Sequence, residues 1–191
     1  MSMTRTRATS LATAVALTAL SMTSVPTPAR AVTPGVIRPT TGTAAAVAGS
    51  AERDRFEARV LRLTNAARSH KRKCGGTWMK KVRALSWSPA LASSADGHSA
   101  DMATNDFFSH YSRSGASPFD RMRAAGYGHR PVGENIAAGL HGAAAVVKAW
   151  LKSPGHCRAI MDPRAREIGV GRVVGSGEYE VYWTQDFGAL K

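Results

Sequence analysis

Glu134 and His156 are the side chains of this 191-residue chain whose types and setting best suit chemistry. The stretch that holds them, GENIAAGLHGAAAVVKAWLKSPGHC over residues 133–157, opens on Glu134-Asn135 and closes on Ser153-Pro154-Gly155-His156-Cys157. Ser153 is a good helix N-cap and Pro154 suits the first helical position, so the sequence predicts a helix starting there with His156 in its first turn. The positive end of that helix disfavours imidazolium. His156 is therefore expected to be neutral near pH 7, able to accept a proton or bind a metal. A further histidine, His110, ends the segment NDFFSH and falls on a loop just past a helix, where functional residues concentrate. Two imidazoles, one carboxylate and a water make an acceptable tetrahedral zinc shell. The same groups suit acid–base hydrolysis of peptide or cell-wall bonds, with zinc or without it. No HExxH is present, so the helix-borne base of a metallopeptidase is lacking. Hydrolysis without a metal asks for a nucleophile beside a histidine. Ser153 is explained as a cap, and Ser109 adjoins His110 with no favoured geometry. His110, Glu134 and His156 also read as a structural network, because buried polar groups must satisfy one another to be tolerated.

Elements that position these residues can be read from pattern. A helix is expected over residues 51–69, where Phe56, Val60, Leu63 and Ala67 form one apolar stripe. Ser88 caps a second helix over 89–105, with Leu91, Ala95, His98 and Met102 on one face, which makes His98 a packed core histidine. Ser117-Pro118 starts a short helix over 118–125, stopped by Gly126. Residues 128–133 read as a turn-rich crossing that leaves His129 exposed, and 134–138 as a short extended piece. Helices are expected over 143–152, with His141 at the mouth, and over 154–161. Two β-like runs follow, 167–174 and 179–187, joined through Gly175-Ser176-Gly177 as a hairpin. A hairpin alone is marginal and must pack on the helices, which gives an α+β sandwich.

Residues 1–31 read as an export signal: Arg5 and Arg7, then the short apolar run LATAVALTALSM, then Ala29-Arg30-Ala31 as a small-x-small cleavage site. That run is too short for a comfortable membrane span, and no second one follows. The mature chain is thus expected to be secreted, without a membrane span, and is read as a monomer. Residues 32–50 mix Pro, Gly, Thr and Ala and read as a disordered linker, leaving 51–191 as one domain. Two cysteines, Cys74 and Cys157, follow the signal, so pairing is the default, with two buried thiols as the alternative. A bridge would close a loop of more than 80 residues, worth roughly 4–5 kcal/mol. The chain carries 26 Lys+Arg against 13 Asp+Glu. Three of those bases and none of the acids precede residue 32, so a chain cut there keeps 23 against 13, or +10. Such a charge favours an anionic envelope polymer or acidic lipid surface. Eleven of the bases fall between Arg53 and Arg83. Nucleic-acid binding would need stacking aromatics or a motif there, and only Trp78 is present.

Taken in order, these pieces resemble the CAP superfamily (cysteine-rich secretory proteins, antigen 5, pathogenesis-related 1; the SCP-like extracellular domain) in its bacterial secreted form. The resemblance rests on Asn65 and Arg68, Leu85 before a Trp-x-Pro turn, FSH ending at His110, Arg121, Gly126-Tyr127, GENIAAG, Trp150, SPGHC, IGVG and YWTQDFG, and covers about residues 55–188. It implies an α-β-α sandwich with a small antiparallel sheet between helices, and a cleft lined by two His and two Glu. His110, Glu134 and His156 match three of those four positions. The fourth, a Glu three residues after the helix Trp in many eukaryotic members, is Ser153 here. The resemblance also implies a Cys74–Cys157 bridge like that of bacterial members. It implies binding of a divalent metal such as zinc, or of a lipid, sterol or peptide.

Overall fold

A computed structural model describes the backbone of residues 41–191 and the side chains from residue 54 onward. The expected signal peptide and residues 32–40 of the expected linker lie outside the described residues. Residues 41–50, read as linker, are instead helical: α1 runs Thr41–Arg68. The reason is local. TGTAAAVAGS contains no proline and is rich in alanine, the best helix former.

After α1 come β1 (Arg72–Cys74), β2 (Thr77–Met79), β3 (Ser86–Trp87), α2 (Pro89–Asn105), α3 (Pro118–Ala124) and β4 (Arg130–Ala138). The chain ends with α4 (Ala143–Lys152), α5 (Pro154–Ile160), β5 (Glu167–Val174) and β6 (Val181–Ala189). The central sheet has the order β3-β5-β6-β4. Its β4–β6 and β5–β6 pairs are antiparallel, but β3 lies parallel to β5, so the sheet expected to be antiparallel is mixed at one edge. A separate antiparallel hairpin is made by β1 and β2. Strand β4 begins at Arg130, not at Glu134, because the turn-like residues Pro131 and Gly133 sit at a register shift. As an edge strand, β4 tolerates a proline there.

Alternation along the strands sends side chains to two faces. One face, with Ile168, Val170, Trp183 and Phe187, packs with Val60 and Ala67 of α1 and Val146, Val147 and Trp150 of α4 in the main core. The other lies under α2. There Gly169 and Gly171 leave no room for a side chain: a Cβ on Gly169 would stand 2.1 Å from the backbone at Leu91–Ala92, and one on Gly171 2.4 Å from that at Ala95–Asp96. The helix rests directly on the sheet backbone.

Two residues near the end of α1 fasten the long connections. Asn65 donates to the Leu85 carbonyl at 3.0 Å and accepts from the Leu85 amide at 2.8 Å. Arg68, fully buried, donates to the carbonyls of Arg83, Ile160, Asp162 and Ala165. Burial, with Arg166 adding repulsion, brings its guanidinium down to about 10. Cys74 and Cys157 are joined, tying the β1–β2 hairpin to α5 across 83 positions.

Candidate functional site

Strand β4 explains why an acid and an amide stand side by side. Neighbouring residues in a strand point to opposite faces. Asn135 faces the main core, donating to Gln185 Oε1 at 3.0 Å and to the His156 carbonyl at 3.3 Å. Glu134 faces the α2 side with its side chain 1% exposed. His110 Nδ1 donates to Glu134 Oε1 at 2.7 Å, and Arg121 Nη2 donates to Oε2 at 2.5 Å. The other guanidinium nitrogen, Nη1, donates to the carbonyls of His110 at 2.9 Å and Ala116 at 3.1 Å and to Ser112 Oγ at 3.2 Å. Arg121 thus clamps the loop that carries His110 while countering the Glu134 charge. Helix α3 holds Arg121 in place through the capping box of Ser117 and Asp120.

The loop has a second anchor. His98, fully buried on α2, hydrogen-bonds through Nε2 with the Ser109 carbonyl at 2.9 Å. A carbonyl only accepts, so the proton sits on Nε2 and Nδ1 is a bare, buried lone pair. Burial first, then Arg121, lowers the His98 pKa. The expectation of a core histidine holds, and its partner is the residue preceding His110.

With Nδ1 turned to Glu134, His110 presents Nε2 to a cleft of about 360 Å³ lined by Phe108, Ser109, His110, Tyr111, Ile136 and His156. The two histidines therefore meet in one cleft, with Glu134 beneath its floor. The rim is aromatic: Phe108 and Tyr111 are exposed, and Phe108 packs against Tyr179 at 6.1 Å between ring centroids. His156 is neutral at pH 7, as expected, but for a different leading reason. Burial lowers its pKa most, and the neighbouring His110 lowers it further. Ser153 stands at the N-cap of α5 without making a side-chain capping bond.

A carboxyl group that sequence reading passed over lies behind Glu134. Asp186 is its register partner across β4–β6 and is fully buried, with Ser94 and Glu134 as its polar side-chain partners. Burial, and then the charge of Glu134, raises its pKa well above the ordinary carboxylate value. At neutral pH the two acids therefore do not both carry charge readily, as for any close carboxylate pair.

The zinc shell expected from His110, Glu134 and His156 does not fit this arrangement. Both Glu134 oxygens are directed to His110 and Arg121, and the guanidinium lies where a cation would compete with a metal. Among the described residues no group of three or more His, Cys, Asp or Glu is placed to hold a metal ion. His141 lies outside the cleft in an exposed pair with Glu180, and His129 is exposed beside Tyr127. Nor is any described helix long and apolar enough to cross a membrane.

The sequence profile of CAP, the cysteine-rich secretory protein family, matches residues 61–187. Among curated proteins the chain is similar to the uncharacterized protein YkwD of Bacillus subtilis, 37% identical over 69% of this chain and 46% of that protein. It is also similar to the uncharacterized membrane protein YlbC of the same organism, 34% identical over 69% of this chain and 34% of YlbC. The chain thus spans less than half the length of either. Among solved structures, an extracellular protein containing an SCP domain from Bacillus anthracis superposes with a TM-score of 0.59 at 31% identity, over 72% of this chain and 41% of that one. An outer surface protein of Borrelia burgdorferi shares the fold, with a TM-score of 0.51 at 24% identity over 58% of this chain and 80% of that one.

Proposed function

The chain belongs to the CAP family, and on that premise we propose that it is an exported binding domain whose His110–His156 cleft takes an amphipathic ligand: a lipid, a peptide or an envelope component. Export itself is part of the proposal, resting on the signal-like residues 1–31 and supported by the extracellular and outer-surface proteins that share the fold. The observation that carries the binding reading is the placement of Glu134. Its carboxylate is buried and taken up by His110 and Arg121, so it orients an imidazole and does not face the cleft. What the cleft offers is a neutral His156, the Nε2 of His110 and an aromatic rim. That mix grips one polar group and one apolar or ring face.

A second reading rests on the His110–Glu134 pair itself. A carboxylate holding Nδ1–H leaves Nε2 free to take a proton from a water, the base half of an extracellular hydrolase acting on peptide or cell-wall bonds. One experiment separates the two. The protein, His110→Ala and His156→Ala are each incubated with envelope extract. Retained molecules and cleaved products are then identified by mass spectrometry. Binding predicts a retained species that both variants lose, with no new products. New fragments made by the protein but not by His110→Ala support hydrolysis. The same species retained by all three proteins, with no fragments, rejects both.

A further inference from the structure

The β1–β2 hairpin plays no part in the cleft, yet it carries the most exposed large apolar side chain of the described residues. Trp78 is 64% exposed. Its cross-strand partner is Lys73, and Lys71 Nζ lies 5.6 Å from the ring centroid, so one face of the hairpin presents an indole between two ammonium groups. Lys80 and Lys81, just past β2, are exposed as well. No Asp or Glu stands between Glu57 and Asp96, while nine Lys and Arg do. The opposite face is fixed. Cys74 is buried in the bridge to α5, and Met79 packs on the main core. The turn residue Gly75 has φ +61°, and a Cβ there would stand 2.9 Å from the Pro154 side chain. The hairpin is therefore a braced ribbon that holds an aromatic ring and its cations outward.

We propose that this face docks on an anionic lipid surface, with Trp78 lying among the headgroups and Lys71 and Lys73 against their phosphates. A single amphipathic ring flanked by lysines is what a bilayer interface selects. A nucleic-acid strand is gripped by successive stacking rings, and only one is present here. A sugar polymer calls for amides or carboxylates beside the ring to meet its hydroxyls, and the residues beside Trp78 on this face are lysines. The inference is independent of what the cleft binds.

The test sediments the full chain with vesicles of phosphatidylcholine alone or mixed with phosphatidylglycerol, at low and high salt. Lys71→Gln/Lys73→Gln and Trp78→Ala serve as variants. All these positions are exposed, so near-UV circular dichroism and thermal midpoint should match the parent. Binding should need the anionic lipid, fall with salt, and weaken on the order of fivefold per lysine removed. Bromolipid should quench the parent's tryptophan emission more than that of Trp78→Ala. Equal binding to both vesicle types, or undiminished binding by the lysine variant, overturns the proposal. So does lysine-dependent binding that Trp78→Ala leaves intact without quenching, which would mean adsorption by charge alone with the ring outside the headgroups.

Discussion

Replacing Asp186 by asparagine should stabilise the fold at neutral pH and leave it almost unchanged near pH 3. In the parent, Asp186 is fully buried opposite Glu134, and burial and that charge raise its pKa. An acid whose folded pKa lies above its unfolded value of 3.8 contributes its full stability below that value. It loses that contribution as pH rises through the folded pKa. Asparagine keeps the shape and cannot ionise. Each unit by which a folded pKa exceeds the unfolded one is worth about 1.4 kcal/mol at a pH above both. A domain of this size shifts by about 2–4 °C per kcal/mol. A gain of at least about 1.4 kcal/mol, or about 3–6 °C, is therefore expected at pH 8. The assay is thermal unfolding of both proteins from pH 3 to 8, read as the difference at each pH. His98 and His156, whose lowered pKa values destabilise the fold as pH falls below about 6.5, contribute to both curves and largely cancel in that difference. A difference that is flat across the range, or a variant less stable at pH 8, would refute the reasoning. The latter would mean that Asp186 works as an anion.

Glu134→Gln should act in the opposite sense. It leaves the Arg121 guanidinium, 11% exposed, without its countercharge, and breaking such a pair costs about 3–5 kcal/mol. Urea unfolding should show that loss, and a Glu134→Gln/Asp186→Asn chain should fall short of the sum of the two single effects, since the acids interact directly. Strict additivity would argue against the pair. Cys74→Ala/Cys157→Ala should lose about 4–5 kcal/mol, the chain-entropy worth of an 83-residue separation, and reductant should no longer shift its urea midpoint. A midpoint equal to the parent's would mean that the bridge constrains nothing.

How far the fold could be read follows from which elements are set locally. Helices α2 and α4 and strand β5 begin and end where expected because local signals mark them: Ser88-Pro89 at the start of α2, Ser153-Pro154 just past α4, and the apolar Ile168, Val170 and Val173 before Gly175 for β5. The β1–β2 hairpin escaped although Gly75-Gly76 is a two-residue hairpin signal, because the strands that flank it are too short to show alternation. Strand β1 is Arg-Lys-Cys and β2 Thr-Trp-Met, and what shapes them is the bridge to α5 and the seat of Gly75 against Pro154. Strand β3 is two residues long and exists only as a parallel partner of β5. The glycines of IGVG were legible as strand, but their purpose, the close seating of α2, is a fact of tertiary packing.

The site divides in the same way. His110, Glu134 and His156 could be found by residue type. Arg121, which holds two of the site's elements at once, counted toward the family resemblance, but nothing in PFDRMRA shows what it binds. Its role depends on a loop and a strand that meet it only when the chain closes. Asp186 did carry a signal. In YWTQDFG it stands within an aromatic, β-branched run, and every residue of β6 is buried. An acid in a strand covered on both faces must be neutral, paired or hydrogen-bonded. Burial first, and then the charge of Glu134, favours the protonated form of Asp186. Arg121 draws charge onto Glu134 and Asp186 yields it, which leaves His110 facing the cleft on a carboxylate that is fixed from behind.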